Sequence, residues 1–195
     1  MSNDLMTISF ALSYAAKHHA AQRRKGDDSP YINHPINVFK HLTASYVTDA
    51  PTLAAAILHD VVEDTDASYE EIKVCFGIPI ADIVAEVTDN KSLPKVERKR
   101  LQVSRMAQKS RSAQLIKMAD KLDNITDMRR SPPKDWSTAR IEGYVAWALA
   151  VTRQSRRLND FLWGGLEVIF KQFGLDVDMS EAELAERVEA YYLIC

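Results

Sequence analysis

The chain has 195 residues, 46% of them apolar, with 25 basic residues against 27 acidic ones and a formal net charge of −2. This composition implies a folded chain with room for a substantial core, and it argues against a dedicated nucleic-acid binder, whose domain is usually clearly basic. Cys75 and Cys195 lie far apart and outside any CxxC pattern, which suits a reduced, cytoplasmic protein; no secretory signal is evident, and no stretch approaches the roughly 18 apolar residues of a membrane span.

Nearly every segment is predicted to be helical. Leu5 to Gln22 carries Leu5, Ile8, Leu12, Ala15 and Ala16 at helical spacing, and the polar run from Arg23 to Pro30 ends it. Tyr31-Ile32-Asn33-His34-Pro35 follows. Pro35 suits the first turn of a helix to about Tyr46, which places His34 at its start. Thr48, Asp49 and Pro51 open the next helix. Ser68-Tyr69-Glu70-Glu71 is a capping box for a short helix closed by Gly77, and Ile80 to Val87 makes another. Lys91 to Arg105 is highly charged, anchored by Leu101, Val103 and Met106, and reads as a largely solvated helix. Leu115 to Met128 is strongly periodic. Beyond the Ser131-Pro132-Pro133 loop, Ser137 or Thr138 caps a helix to about Arg157. Another helix runs from Asn159 to Phe173, and a Ser180 to Glu183 box opens a last one to about Leu193. The expected fold is all-α: one helical bundle of roughly ten helices, with a main unit over residues 1–175 and a helical extension over 176–195 packed on it.

The stretch from Ala54 to Thr65 stands out. An Ala-rich apolar run leads into His59-Asp60-Val61-Val62-Glu63-Asp64. His59 and Glu63 stand one helical turn apart, as do Asp60 and Asp64. Adjacent residues on a helix point about 100° apart, so His59 and Asp60 can both reach one ion only at a helix end or at a junction between helices. A solvated acidic helix end fits poorly after five apolar residues, because unpaired buried charges are costly. A metal would offset that cost. Two further places supply compatible side chains: His34, and Asp120 in Lys117-Met118-Ala119-Asp120-Lys121-Leu122-Asp123-Asn124, where Asp120 and Asn124 share a face. Two imidazoles and two carboxylates make a mixed nitrogen and oxygen set suited to a catalytic divalent ion.

In this pattern the chain resembles the metal-dependent phosphohydrolases of the HD superfamily, which use a His, a His-Asp doublet and a later Asp in this order. Within the superfamily it resembles the hydrolase domain of RelA/SpoT proteins in its stand-alone form, the small alarmone hydrolases, including the metazoan SpoT homologues. The similarity covers Tyr31 to Pro35, Leu58 to Thr65, Val87-Thr88-Asp89, Leu93-Pro94-Lys95 with Glu97 to Arg100, and Lys117 to Asn124. It implies His34, His59, Asp60 and Asp120 as ligands of Mn²⁺, with Zn²⁺ or Fe²⁺ as alternatives. It implies Glu63 and Asp64 acting on the attacking water, and Asn124 holding the site and the ribose. The implied substrate is a (p)ppGpp-type alarmone, cleaved at its 3′-pyrophosphate to GDP or GTP plus pyrophosphate. Arg23, Arg24 and Lys25 would lie beside the base, Lys95 and Arg140 would reach the 5′-phosphates, and Tyr144 would line the same pocket. The expected partner is this small nucleotide, with neither nucleic acid nor membrane, for a monomer or homodimer.

The same chemistry on (p)ppApp, NADPH or a deoxynucleotide, and a catalytically silent nucleotide sensor, are the alternatives. Two features depart from the family. Asp123 stands where an aromatic or small residue is commoner, and would add negative charge if it faced the pocket. The segment after Gly174 has no clear counterpart, and reads as a packing helix or a dimer contact. Trp136, Trp147 and Trp163 read as packing residues.

Overall fold

The structure, a computed structural model, describes residues 2–195. Among the described residues it contains eleven α-helices, two single-turn 3₁₀ segments and no sheet; the one extended pairing is an isolated bridge between Arg23 and Pro30. The centre is α3 (Ala50–Leu58). Asp49 caps it by accepting from the Thr52 backbone N–H, and Pro51 sits in its first turn. Every residue from Ala54 to Leu58 is fully buried. A helix apolar on all sides must be surrounded, and α1 (Ser2–His18), α2 (Asn33–Ala44), α6 (Ile78–Val87) and α8 (Arg111–Arg130) pack around it.

The helix opened by Asp49 is interrupted at the His-Asp doublet. Helix α3 stops at Leu58, and a single turn, α4 (Val61–Asp64), starts after Asp60. The doublet therefore occupies a junction between helices, the one arrangement apart from a helix end in which neighbouring side chains can converge. Helix α5 (Tyr69–Phe76) has the expected Ser68–Glu71 capping box, and Gly77, at φ 85°, supplies the left-handed turn into α6.

Three boundaries differ from the sequence expectation. Helix α1 ends at His18, where the Ala20 and Gln22 N–H groups turn to the Lys17 and His19 carbonyls three residues back, and the Gln22 carbonyl accepts from the Tyr31 N–H across the loop. Helix α7 (Lys95–Arg105) starts four residues late, because Pro94 holds an extended ψ of 147° and sits at its N-terminus. Helix α9 (Thr138–Thr152) gives way to a 3₁₀ turn at Arg153–Ser155 before α10 (Asp160–Gln172). Helix α11 (Glu181–Tyr192) lies against α9. The approach is close at Gly143, where a Cβ would come within 2.8 Å of the Tyr191 ring.

Candidate active site

Helices α2, α8 and the α3–α4 junction bring His34, His59 and Asp120 together. Each offers a donor atom within 4.8 Å of the others, and all three are buried. The Asp60 carboxylate completes the group: its Oδ2 lies 3.0 Å from His59 Nε2 and 3.6 Å from His34 Nε2. The Tyr31 hydroxyl holds that oxygen in place with a 2.6 Å hydrogen bond. Tyr31 was legible only as part of a motif; nothing local to it signalled a contact with a residue 29 positions away.

The hydrogen bonds behind the imidazoles set their tautomers. His59 Nδ1–H donates to the Ala56 carbonyl at 2.8 Å, and His34 Nδ1–H donates to Asp123 Oδ2 at 2.6 Å. Both Nε2 atoms are thereby free to offer lone pairs inward. His59 Nε2 is buried and has no hydrogen-bond partner. An orphaned imidazole nitrogen beside two carboxylates is a poor arrangement for an empty core and a good one for a divalent cation. The donor set fits such an ion.

Charges around the cluster are strongly coupled. Burial opposes ionisation of Asp60, but His59 and then His34 hold its carboxyl well below the usual range. Burial likewise opposes Asp120, and Lys121 and His34 outweigh it. For His34, burial disfavours the proton, yet the Asp120 and Asp123 carboxylates raise its pKa to about 9 in the metal-free protein. Asp123 turns away from the substrate side. It is buried, bonded to His34 and faced by His41, and those contacts overcome its burial to hold it at about 2. The added charge thus stands behind a candidate ligand and lines neither neighbouring cavity.

Two cavities meet here. One, of about 220 Å³, is lined by His34, Asp60 and Asp120 of the cluster together with Glu63 and Asp89, and has a cationic wall of Lys95, Arg98, Lys99, Lys117 and Lys121. Burial raises the pKa of Glu63, while the Asp89 N–H, donating to Oε2 at 3.0 Å, pulls the other way. The second cavity, of about 270 Å³, is walled by Arg23, Arg24, Lys25, Met128, Pro133 and Trp136. Tyr31, Asn124 and Tyr144 line both. Asn124 bridges the two, since its Nδ2 donates to Asp120 while its Oδ1 accepts from Arg24 at 3.1 Å. Arg24 is itself fixed by Asp127 at 2.6 Å.

Not every sequence-level candidate converges. Asp64 pairs with Lys91 at 2.6 Å and lines the second cavity, not the one holding the cluster. Arg140 lines neither cavity and lies over the Trp136 ring, 4.5 Å from its centroid. Trp136 and Trp147, read as packing residues, each also line a cavity. Helix α7 is not simply solvated. Lys95, Arg98, Lys99 and Gln102 turn to the cluster, and their spacing of three and four residues was the signal available in sequence.

A model of the HD domain matches residues 11–153. The chain belongs to the HD domain family. Within this HD-domain family it groups with the MESH1 proteins. It is 45% identical over 179 residues to the Xenopus tropicalis protein named guanosine-3′,5′-bis(diphosphate) 3′-pyrophosphohydrolase MESH1, covering 91% of this chain and all of that one. The Drosophila melanogaster protein of the same name is 48% identical, over 84% of this chain and 93% of its own. A solved structure described as a metazoan ortholog of SpoT that hydrolyzes ppGpp superposes with a TM-score of 0.85 at 46% identity. That match covers 87% of this chain and 97% of the other. Among the described residues no helix is long and apolar enough to cross a membrane.

Proposed function

We propose that the protein is a divalent-metal-dependent hydrolase that removes the 3′-pyrophosphate of (p)ppGpp, yielding GDP or GTP and pyrophosphate. The observation that carries this reading is the joining of two unlike cavities through Tyr31, Asn124 and Tyr144: a carboxylate-imidazole cluster with a cationic wall, and a cationic, aromatic neighbour. A purine nucleotide with phosphates on both sides of its ribose spans two such sites. The names of the similar proteins support the same reaction.

His34, His59, Asp60 and Asp120 would hold the ion, with Mn²⁺ preferred and Zn²⁺ or Fe²⁺ compatible with the same donors. Such an ion supplies Lewis acidity and water that ionises near neutrality. Glu63 accepts the proton of the attacking water, a role its raised pKa favours. The water oxygen joins the phosphorus, the bond from phosphorus to the ribose 3′-oxygen breaks, and that oxygen takes a proton from solvent water while Glu63 returns its own to solvent. Asp64, through its pair with Lys91, orders the rim. Asn124 holds Asp120 and the ribose in register. Arg23, Arg24 and Lys25 lie beside the base, the aromatic faces of Tyr144 and Trp136 stack on it, and Lys95 and Arg140 approach the 5′-phosphates from the rim. The reaction unit spans residues 1–175 with 176–195 as its extension, and the protein works in the cytoplasm as a monomer or homodimer.

Product analysis by anion-exchange chromatography tests the reading. Metal-loaded protein is incubated separately with ppGpp, pppApp, NADPH and dGTP, with Asp60→Asn as control. Pyrophosphate and GDP from ppGpp, absent in the variant, are expected. Turnover of the other nucleotides alone would reassign the substrate. Tight ppGpp binding without product would make the protein a sensor.

A further inference from the structure

Lys99 occupies an unusual place. Its ammonium nitrogen lies 3.6 Å from the centroid of the Trp147 ring and 5.0 Å from those of Tyr144 and Tyr191. Three aromatic rings thus box one lysine at the edge of the cluster cavity, which Lys99, Tyr144 and Trp147 all line. A second amine shares the indole: Lys121 Nζ is 4.7 Å from its centroid. The two differ in their partners. Lys121 donates to Asp120 at 2.7 Å, whereas Lys99 Nζ makes no ion pair among the described residues. Ring faces attract an ammonium, but they do not replace the hydrogen bonds it gives up on leaving water. Lys121 repels it as well. An anion entering the cavity would relieve both deficits.

We propose that Lys99 is an anion-binding residue of the active site, taking a phosphate group of the substrate and of departing pyrophosphate, and that Tyr191 of α11 is the positioning residue that closes its aromatic box. The phosphate assignment rests on the alarmone reading above; the box does not. Charge in the cavity is consistent. Five cationic residues face the four carboxylates of Asp60, Glu63, Asp89 and Asp120, and a divalent ion would raise the positive excess further. Burial, and then the Lys121 charge, push the Lys99 ammonium down to about 7, so a bound phosphate would restore its proton. The other titratable groups around it are Lys95 on its own helix, Asp89 and Cys195.

The box also gives the C-terminal helix a function. Residues 181–192 lie outside the matched HD region of residues 11–153. Gly143 admits α11 so closely that the buried Tyr191 ring reaches Trp147 at 6.5 Å and Tyr144 at 6.3 Å. The same helix extends the cationic contact outward, where Arg100 lies 4.9 Å from the Tyr192 ring centroid. Helix α11 is thereby part of the site's wall, acting through Lys99.

Calorimetric titration of inorganic pyrophosphate into protein loaded with one equivalent of Mn²⁺ tests this, alongside kcat and KM for ppGpp and melting temperature. Lys99→Met should weaken pyrophosphate binding about 10- to 100-fold with metal stoichiometry unchanged, the effect of losing one charge-assisted hydrogen bond, and Lys99→Arg should recover most of it. Tyr191→Leu should weaken it about 3- to 10-fold, while Tyr191→Phe, which keeps the ring, should match wild type. Wild-type pyrophosphate affinity in folded Lys99→Met would overturn the proposal. A Tyr191→Leu protein that melts lower but binds pyrophosphate normally would overturn the role of α11. If wild type turns over no ppGpp yet binds pyrophosphate through Lys99, the alarmone reading fails and the anion site stands. If it turns over ppGpp and Lys99→Met changes neither kcat, KM nor pyrophosphate affinity, the reverse holds.

Discussion

The two cavities that share Tyr31, Asn124 and Tyr144 are built from different material. The cluster cavity draws His34 from α2, Asp120 from α8 and Asp60 from the α3–α4 junction, with the buried His59 behind them. The neighbouring cavity draws most of its wall from loops, Arg23 to Tyr31 on one side and Ser131 to Trp136 on the other, and the rest from α4, α8 and α9. One is held by the core and the other by a few specific contacts: the Arg23–Pro30 bridge, the Arg24–Asp127 pair and the close approach of Gly26 to the Ser131 carbonyl. Reaction geometry thus sits on elements that cannot move without unpacking the centre. Recognition sits where change is tolerated.

If this division holds, substitutions should separate metal binding from substrate affinity. The largest effect is expected for His59→Ala or Asp60→Asn: metal uptake and turnover are lost together, with activity down by at least about 1,000-fold. Full metal stoichiometry by elemental analysis would contradict the ligand assignment. Glu63→Gln should keep the metal and lose about 100- to 10,000-fold in kcat, as for removal of a positioned base. A change confined to KM would make Glu63 a binding residue. Asp123→Asn leaves His34 less firmly oriented and should weaken metal affinity about 10- to 100-fold by competition with a chelator, with KM unchanged at saturating metal. Gly26→Ala drives a Cβ into the Ser131 carbonyl and should shift the recognition loops, raising KM while metal affinity stays within about a factor of three. A loss of metal in this variant would show that the cavities are not separable.

The smallest expected effect is on stability against pH in metal-free protein. The His34 pKa is raised from 6.5 to about 9. The stabilisation from its proton is whole below 6.5 and is lost as pH rises through about 9. The Asp123 carboxyl, lowered from 3.8 to about 2, contributes above 3.8 and loses its contribution as pH falls through about 2. Melting temperature should therefore drop between pH 7 and 9.5 without metal, and much less with it, because the ion takes the place of the His34 proton. Equal declines with and without metal would place His34 outside the metal site.

Much of the cluster was legible because its signals are local. The buried character of residues 54–58, the Ser68–Glu71 capping box and the Asp120–Asn124 spacing each require only a few neighbours along the chain, whereas at Ser180 only the N-cap bond forms and the Glu183 carboxylate pairs with Arg187. The junction at His59-Asp60 followed from helix geometry, since adjacent side chains diverge by about 100° within a continuous helix. The fate of Asp123 was not legible. Asp120 and Asn124 define one face of α8, but whether the residue beside them enters the pocket or backs His34 depends on where α2 packs, a contact spanning 89 positions. The charged helix α7 was only partly read for the same reason. Its composition is that of a solvated helix, and only the placement of α9 and α11 shows that Lys99 is boxed.

By itself, the sequence determined the all-helical architecture, the helix caps, the buried centre and the residue types that can hold a divalent ion, because these follow from periodicity and from the cost of burying charge. Tertiary structure alone decided which lone pairs point inward, which side of the His-Asp doublet Tyr31 reaches, and that Tyr191 closes around Lys99. Those outcomes are set by helices meeting across distant parts of the chain, and no local pattern encodes the angle at which they meet.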